Sequence, residues 1–388
     1  MGMEIYRAKN QIGGDVIEVS SPKTKILLDV GMGTADTLDI KTLDLKSYDA
    51  VFIFHYHTDH MGLAYNLYKN VPIYMGEVSY KIVRAANAYR NRPTVPLKGF
   101  LKHRQTIRIG DMKITPYLCC DSIFDSYMLL IERQGERLLF TGDFGVSGWK
   151  RRHGIGSLPK DIDILITRSA ALSKDYAARD EKELLTKATK LFQKTTGPIF
   201  VLQSSMNLDR ILTMYKAAKR SRRLFLQELY MAEITSAIRG CIPNPMKFSD
   251  VKVFVTTVYK DDHRIGLFKN YKNTIKKEEI SKENFVMCIR TSMYPYVKSL
   301  FESMGYPKGL LVYSFWSGYR NDENMQSFLE NCTAFGLERV DLHTSGYAES
   351  NAIKKLLRHT NPKKIMSVEP DSPLVERSKG EFVNAFMT

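Results

Sequence analysis

Three histidines and one aspartate lie close together in the segment 55–60, which reads His-Tyr-His-Thr-Asp-His. The segment directly follows an apolar run of the kind that forms a buried strand. In extended backbone, side chains two residues apart point to the same side, so His55 and His57 can bind one metal ion together. Asp59 and His60 can then turn toward a second ion, because carboxylate and imidazole are both ligands of divalent metals. The spacing therefore predicts a two-metal site at the end of a strand.

Short apolar runs separated by turn residues fill the first third of the chain and predict the strands of a sheet. Four lie around the histidine segment and four lie beyond residue 105, at 16–19, 25–30, 50–54, 72–75, 106–109, 112–118, 127–131 and 137–141. The last two form a predicted hairpin across Gln134 and Gly135.

A different pattern begins near residue 176, where apolar strands alternate with amphipathic helical stretches. Such alternation is typical of a parallel α/β unit. From about residue 338 a strand, a loop, a helix and a strand follow, which are too few elements for a separate domain. We therefore predict three stretches: a first domain over 1–175, an inserted α/β domain over 176–332, and a return to the first domain over 333–388.

The histidine segment resembles the His-x-His-x-Asp-His signature of the metallo-β-lactamase fold. Three further stretches resemble landmarks of that fold: 12–14 (Ile-Gly-Gly), 28–31 (Leu-Asp-Val-Gly) and 140–144 (Phe-Thr-Gly-Asp-Phe). The resemblance implies an α/β protein with the αββα sandwich of that fold, and a hydrolase that uses two metal ions. It also implies that Asp143 is the carboxylate that bridges them.

Two later stretches resemble the β-CASP branch of the fold, which includes ribonuclease J and the pre-mRNA cleavage endonucleases. Residues 203–210 (Gln-Ser-Ser-Met-Asn-Leu-Asp-Arg) are similar to a segment inside the β-CASP insertion. Residues 343–348 (His-Thr-Ser-Gly-Tyr-Ala) are similar to the stretch that carries its catalytic histidine. The resemblance implies that the inserted domain is β-CASP-like and that the substrate is RNA or single-stranded nucleic acid.

The chain departs from that family at four positions. Asp121 and Glu369 stand where the family has metal-binding histidines, and Tyr347 stands at the catalytic histidine. Arg168 stands where relatives carry an acidic residue. Aspartate and glutamate bind divalent cations through oxygen, so two of these changes replace one kind of ligand with another.

The predicted ligands are therefore three histidines and four carboxylates: His55, His57, His60, Asp59, Asp121, Asp143 and Glu369. We expect them to hold two divalent ions, zinc or manganese, with iron and magnesium as further candidates. Because oxygen-rich anionic sites suit hard cations, we expect the four carboxylates to shift the preference from zinc toward manganese, iron or magnesium. The sequence leaves open the loss of one or both metals, since several catalytic positions changed together.

Two bound ions would lower the pKa of a bridging water, so that hydroxide forms near neutral pH and attacks the substrate. We expect Asp143 to bridge the ions and Asp59 to orient the hydroxide. The leaving group also needs a proton, and Tyr347 and His343 are the candidate donors.

The charge balance favours a polyanionic partner such as RNA. The chain has 57 basic and 42 acidic residues, a formal net charge of +15. Basic residues that can neutralise phosphates cluster at 150–153 (Lys-Arg-Arg-His) and at Lys216, Lys219, Arg220, Arg222 and Arg223. A solvated surface is the alternative explanation of either cluster.

Three functions stay open from the sequence. The first is a metal-dependent phosphodiesterase of RNA, the second a hydrolase of a smaller phosphoester or another ester, and the third a catalytically weak paralogue that binds nucleic acid or protein.

The five cysteines are few and odd in number, which argues against a disulfide framework. The first residues lack the basic and apolar regions of a signal peptide, so we expect a cytoplasmic protein with no membrane segment. The oligomeric state stays open, with a homodimer as one option.

Overall fold

The structure of the protein is a computed structural model that describes most of the chain. The described residues are 1–6, 14–33, 47–67, 71–119, 124–145, 148–149, 154–167, 180–238, 240, 242–256, 263–280, 284–305, 307–344, 350–368 and 375–376. Among the residues singled out from the sequence, Asp121, Arg168, Tyr347 and Glu369 lie outside these ranges, as does the basic cluster 150–153.

Strands and α-helices account for most of the described residues. The strands are β1 (Gly2–Tyr6), β2 (Val16–Ser20), β3 (Lys25–Leu28), β4 (Ala50–Phe52), β5 (Ile73–Gly76), β6 (Gly99–Leu101), β7 (Ile107–Ile109), β8 (Met112–Leu118), β9 (Tyr127–Arg133), β10 (Glu136–Phe140), β11 (Ile164–Thr167), β12 (Ile199–Leu202), β13 (Leu224–Gln227), β14 (Val251–Phe254), β15 (Thr274–Ile275), β16 (Phe285–Ile289), β17 (Gly309–Tyr313), β18 (Leu337–Asp341), β19 (Lys364–Ser367) and β20 (Val375–Glu376). The α-helices are α1 (Thr58–Met61), α2 (Glu77–Arg90), α3 (Glu181–Lys194), α4 (Leu208–Arg220), α5 (Leu229–Ser236), α6 (Arg264–Phe268), α7 (Lys277–Ile280), α8 (Tyr294–Met304), α9 (Glu323–Ala334) and α10 (Ser350–Thr360).

The chain divides into two compact units. The first unit contains residues 1–83, 94–172 and 346–388, and the second contains 84–93 and 173–345. We predicted that the chain returns to the first domain at residue 333, whereas this division places the return at residue 346. The later position arises because β18 pairs in parallel with β17 inside the sheet of the second unit. We keep the inserted-domain organisation as a proposal, with the return moved to residue 346.

Two sheets form the first unit. The first has the order β1-β2-β3-β4-β5-β6, and its strands from β3 to β6 are parallel. The second has the order β20-β19-β11-β10-β9-β8-β7. The carboxyl ends of β3 to β6 therefore lie at one edge, which is where such sheets usually place ligand sites.

The two sheets of the first unit pack against each other on an apolar core. Ile17 and Phe52 from the first sheet and Leu129 and Phe140 from the second belong to one buried cluster. Successive strand side chains point to opposite faces, so the residue before Phe140, Leu139, packs instead against helix α10. The predicted α/β fold class is confirmed by this layered arrangement.

The second unit is built on a seven-stranded sheet with the order β15-β14-β13-β16-β12-β17-β18. Every neighbouring pair in it is parallel. The residues of β12, β16 and β17 are all buried, as expected for central strands that are covered on both faces. Among the described residues, no helix is both long and apolar enough to span a membrane.

Candidate metal centre

The histidine segment lies at the carboxyl end of β4, a strand whose three residues are all buried. Residues 53–57 continue the chain beyond the strand, and the short helix α1 then begins at Thr58. This change from extended to helical backbone separates His55 and His57 from Asp59 and His60. His55 and His60 are 0% and 1% exposed, so both rings sit inside the first unit.

Two groups of three potential ligands meet in this loop. His55, His57 and Asp59 form one group, and Asp59, His60 and Asp143 form the other. Within each group the ligand atoms lie within 4.8 Å of one another. The rings of His55 and His60 are also close, with centroids 3.9 Å apart. Since Asp59 is common to both groups, the two candidate sites adjoin.

Asp29 orients the imidazole of His60. Its Oδ2 lies 2.7 Å from Nδ1 of His60, and its Oδ1 accepts a hydrogen bond from the Phe54 N–H at 2.7 Å. With Nδ1 donating to Asp29, Nε2 faces Asp143 at 3.3 Å and Asp59 at 3.6 Å. A carboxylate that fixes the second nitrogen of a histidine is the usual support of a metal ligand. The sequence alone marks Asp29 only as part of a fold landmark and does not predict this role, although its position directly after β3 is a usable signal.

Backbone contacts hold the ligand loop in place. The carbonyl of Asp59 accepts from the Gly14 N–H at 3.0 Å, and the carbonyl of His60 accepts from the Val30 N–H at 2.9 Å. A Cβ on Gly31 would lie only 1.9 Å from the Asp59 carbonyl oxygen, so only glycine fits at that position. The Leu-Asp-Val-Gly stretch thus positions the loop through its backbone as well as through Asp29.

The electrostatics of the loop suit a cation. Burial alone would lower the pKa of His60, but the carboxylates of Asp29 and Asp59 hold it well above its usual value. Burial lowers the pKa of His57, an effect that Asp59 opposes. Nε2 of His57 is buried and has no hydrogen-bond partner among the described residues. A buried imidazole nitrogen beside several carboxylates matches what a divalent metal ion requires, so the residues present fit such an ion.

His343, one of the two candidate proton donors, lies in the second unit. Its Nδ1 is 3.1 Å from Nη1 of Arg210, which can only donate, and 3.2 Å from the carbonyl of Ser314. Burial and the neighbouring Arg210 lower the pKa of His343 to about 3. The ring is therefore uncharged at neutral pH, which does not support the acid role that we expected for it.

Comparison with known proteins gives a family match over part of the chain and relatives that extend beyond it. Residues 13–190 match the family described as "Metallo-beta-lactamase superfamily". "Probable RNase MJ4" of Methanocaldococcus jannaschii is 23% identical across 92% of this chain and 90% of its own length. "Ribonuclease J" of Helicobacter pylori is 22% identical across 52% of this chain and 32% of its own length. "Endoribonuclease ysh-1" of Neurospora crassa is 27% identical across 53% of this chain and 28% of its own length.

Residues 13–190 match a metallo-β-lactamase domain, and the ribonuclease-named relatives support a β-CASP, ribonuclease J-like branch. A crystal structure of a protein of unknown function from Enterococcus faecalis resembles it with a TM-score of 0.73 and 17% identity. That likeness covers 95% of this chain and 93% of the other, which confirms the fold over both units. The chain spans 90% of the length of RNase MJ4 but only about a third of ribonuclease J, so the activities of the longer relatives do not transfer as a whole.

Proposed function

We propose that this chain is a metal-dependent phosphodiesterase that cleaves RNA or single-stranded nucleic acid. The observation that carries the proposal is the pair of three-ligand groups that share Asp59 at the carboxyl end of β4. Relatives named as ribonucleases support RNA as the substrate class. The net charge of +15 is consistent with a polyanionic substrate.

Each ligand group has the composition of a divalent-metal site. His55, His57 and Asp59 would hold one ion, and Asp59, His60 and Asp143 would hold the other. When bound, such ions supply a nucleophile from water near neutral pH and neutralise charge on phosphate oxygens. The chain contributes preordered ligands to this chemistry, because His55 and His60 are buried and Asp29 holds the ring of His60.

For the proton of the leaving group we now propose Tyr347 in preference to His343. A phenol keeps its proton at neutral pH, since its ordinary pKa is about 10. The uncharged ring of His343 is instead a hydrogen-bonded part of the Arg210 network. Asp121 and Glu369 remain proposed as further ligands.

The proposal is tested with end-labelled single-stranded RNA and, in parallel, a small aryl phosphodiester. We expect the metal-loaded chain to cleave the RNA. Cleavage should stop when chelator is added and resume when zinc or manganese is restored. Hydrolysis of the small ester alone would establish the esterase alternative. RNA binding without cleavage by a protein with bound metal would establish the weakly catalytic paralogue.

The ligand set predicts a metal preference shifted from zinc toward manganese, iron or magnesium. Four of the proposed ligands are carboxylates (Asp59, Asp121, Asp143 and Glu369), and oxygen-rich anionic sites suit hard cations. Zinc binds most nitrogen and oxygen sites more tightly than manganese does, so the ion that co-purifies does not report the preference. Thermal stability after chelation and metal restoration does report it.

The matched variant is Asp121→His/Glu369→His, which restores two imidazoles. We expect zinc to stabilise this variant more than it stabilises the parent, relative to manganese. An unchanged order of metals would refute the tuning by carboxylates. A parent that no divalent ion stabilises would refute the metal centre itself.

The second basic cluster predicts salt-sensitive binding of RNA. Arg220 and Arg222 are exposed and line a cavity of about 370 Å³ beside Ser221. Arg223, in contrast, is buried and donates to the carbonyls of Thr195 and Gly197, so its replacement would disturb the fold. The informative variant is therefore Arg220→Glu/Arg222→Glu.

We expect this double variant to bind single-stranded RNA more weakly at low ionic strength. Each lost phosphate contact lowers the slope of log affinity against log salt by about 0.7, so two contacts lower it by about 1.4. Lys102→Glu/Arg108→Glu reverses two exposed charges of the first unit and serves as the control. If both double variants weakened RNA binding equally, the effect would arise from net charge in general and not from contacts of Arg220 and Arg222.

A further inference from the structure

Four cation–π contacts of the second unit converge on two buried tyrosines. The rings of Tyr89 and Tyr230 are 7% and 4% exposed, and their centroids are 5.0 Å apart. The guanidinium carbons of Arg90 and Arg290 lie 5.0 Å and 5.1 Å from the centroid of Tyr230. Those of Arg264 and Arg290 lie 5.4 Å and 5.7 Å from the centroid of Tyr89. Such contacts occur about once per 70–80 residues, so four on two adjacent rings are a marked concentration of positive charge.

This arginine cluster (Arg90, Arg264 and Arg290) lies at the carboxyl edge of the second unit's sheet. Arg290 directly follows β16, which lies between β13 and β12 in a wholly parallel sheet. Glu228, its ion-pair partner, directly follows β13 at the same edge. Open parallel α/β sheets bind their ligands outside the carboxyl ends of their strands. The cluster therefore occupies the edge of the sheet where a ligand is expected.

Glu228, the carboxylate that faces the arginine cluster, already has an ion-pair partner and hydrogen-bond donors. Glu228 lies 3.0 Å from Arg290 and also accepts hydrogen bonds from the backbone N–H groups of Tyr230 and Met231. Arg90 is exposed, and within the described ranges no carboxylate pairs with it. Nε of Arg290 is buried, and the described residues give it no hydrogen-bond partner. The charge of Arg90 and one N–H donor of Arg290 that has no described partner thus remain for an anion.

The tyrosines hold these guanidinium groups in fixed positions. The hydroxyl of Tyr230 accepts from Nη2 of Arg90 at 2.8 Å, and the hydroxyl of Tyr89 accepts from Nη2 of Arg290 at 3.3 Å. A guanidinium that is already ordered loses less entropy on binding, and its planar fork matches the oxygens of a phosphate. Because the rings are buried beneath the arginines, they position cations and do not stack on bases.

We propose that Arg90 and Arg290 bind backbone phosphates of single-stranded RNA at the carboxyl edge of the second unit's sheet. The inference rests on the proposed function, because it locates part of the site that holds that substrate. A phosphodiester backbone fits better than a neutral ligand, since the groups on offer are cationic donors in a fixed geometry. Binding at this edge uses no metal ion, so it can be measured in the presence of chelator.

The test is fluorescence anisotropy of a labelled single-stranded RNA with the full chain in chelator, over a range of salt concentrations. We expect Arg90→Ala to weaken binding at low salt by roughly tenfold, the usual effect of losing one charged hydrogen-bonded contact. The salt slope should fall by about 0.7. Arg90→Lys should keep the slope but recover only part of the affinity, because lysine lacks the fork. Arg108→Ala, which removes an exposed arginine of the first unit, should leave binding unchanged.

Several results would overturn the inference: no RNA binding by the parent, parental affinity in Arg90→Ala, or equal weakening in Arg108→Ala. A loss of thermal stability in Arg90→Ala with unchanged RNA affinity would also overturn it, by assigning the cluster a structural role. These outcomes are independent of cleavage. If the parent cleaves RNA but Arg90→Ala binds RNA with parental affinity, the proposed function stands and this inference is overturned. If Arg90→Ala selectively loses RNA binding but the parent never cleaves RNA, the inference stands and the proposed function is overturned.

Discussion

Asp143→Asn is expected to lower the rate of RNA cleavage by at least about a thousandfold, since metal ions contribute several kcal/mol of charge stabilisation to such reactions. Oδ2 of Asp143 lies 3.3 Å from Nε2 of His60, inside the second ligand group. An amide keeps the size of the side chain but carries no charge and offers a single oxygen. The variant should therefore fold as the parent does and lose metal from this group.

Asp29→Asn is the matched control, because it changes a carboxylate that touches a ligand but belongs to neither ligand group. Loss of such a supporting partner typically costs about 10- to 100-fold in metal affinity or activity. Single-turnover cleavage rates and metal content by mass spectrometry, both measured after dialysis, distinguish the two variants. Parental activity in Asp143→Asn would contradict the assignment of the centre. A larger loss in Asp29→Asn than in Asp143→Asn would contradict the ranking of the two carboxylates.

Features that depend on neighbouring residues were predictable from the sequence. The candidate ligands His55, His57, Asp59 and His60 lie within six residues, so the geometry of one strand end brings them together. The hairpin of β9 and β10 is confirmed as well. Gln134 and Gly135 have φ angles of 48° and 85°, as a tight two-residue turn with positive φ at both positions requires.

Features that depend on distant residues were not predictable in the same way. Asp29 and His60 are 31 positions apart, and only the parallel pairing of β3 with β4 brings their segments together. The placement of 84–93 with the second unit carries no local signal, since helix α2 crosses residue 84 without a break and ends only at Arg90. Arg223 reads as one of several surface charges, yet its guanidinium is buried against two carbonyls. Burial of a charge depends on tertiary contacts that composition does not record.

The segment 203–210 contains both a feature that the sequence predicts and one that depends on distant residues. Its resemblance to the β-CASP insertion was visible in the sequence, but the reason for its final residue, Arg210, is not local. Nε of Arg210 donates to Glu181 at 3.0 Å, and both side chains are at most 2% exposed. The other guanidinium nitrogens donate to the carbonyls of Ser314 and Thr344. One buried arginine thus ties α3 and α4 to the chain that follows β17 and β18.

Replacing Arg210 with methionine is expected to destabilise the protein by about 3–5 kcal/mol, because removing one partner leaves the carboxylate of Glu181 buried without its counter-charge. Only the Thr213 hydroxyl would still donate to that carboxylate among its contacts in the described part of the chain. The double variant Arg210→Met/Glu181→Leu removes both charges and should recover part of the loss. Partial recovery would show that the cost arises from the unpaired charge and not from the altered shape of the side chain.

Lys187→Met provides the control on the same helix, α3. Lys187 pairs with Glu183 at 3.0 Å, but these side chains are 47% and 32% exposed, so the loss should stay below about 1 kcal/mol. Urea unfolding of the full chain, followed by fluorescence and circular dichroism, measures all three variants. Because the chain has two units, separate transitions are to be fitted separately. A loss in Arg210→Met no larger than that in Lys187→Met would show that the buried pair does not hold the second unit together, and the positioning of His343 and Thr344 would then need another cause.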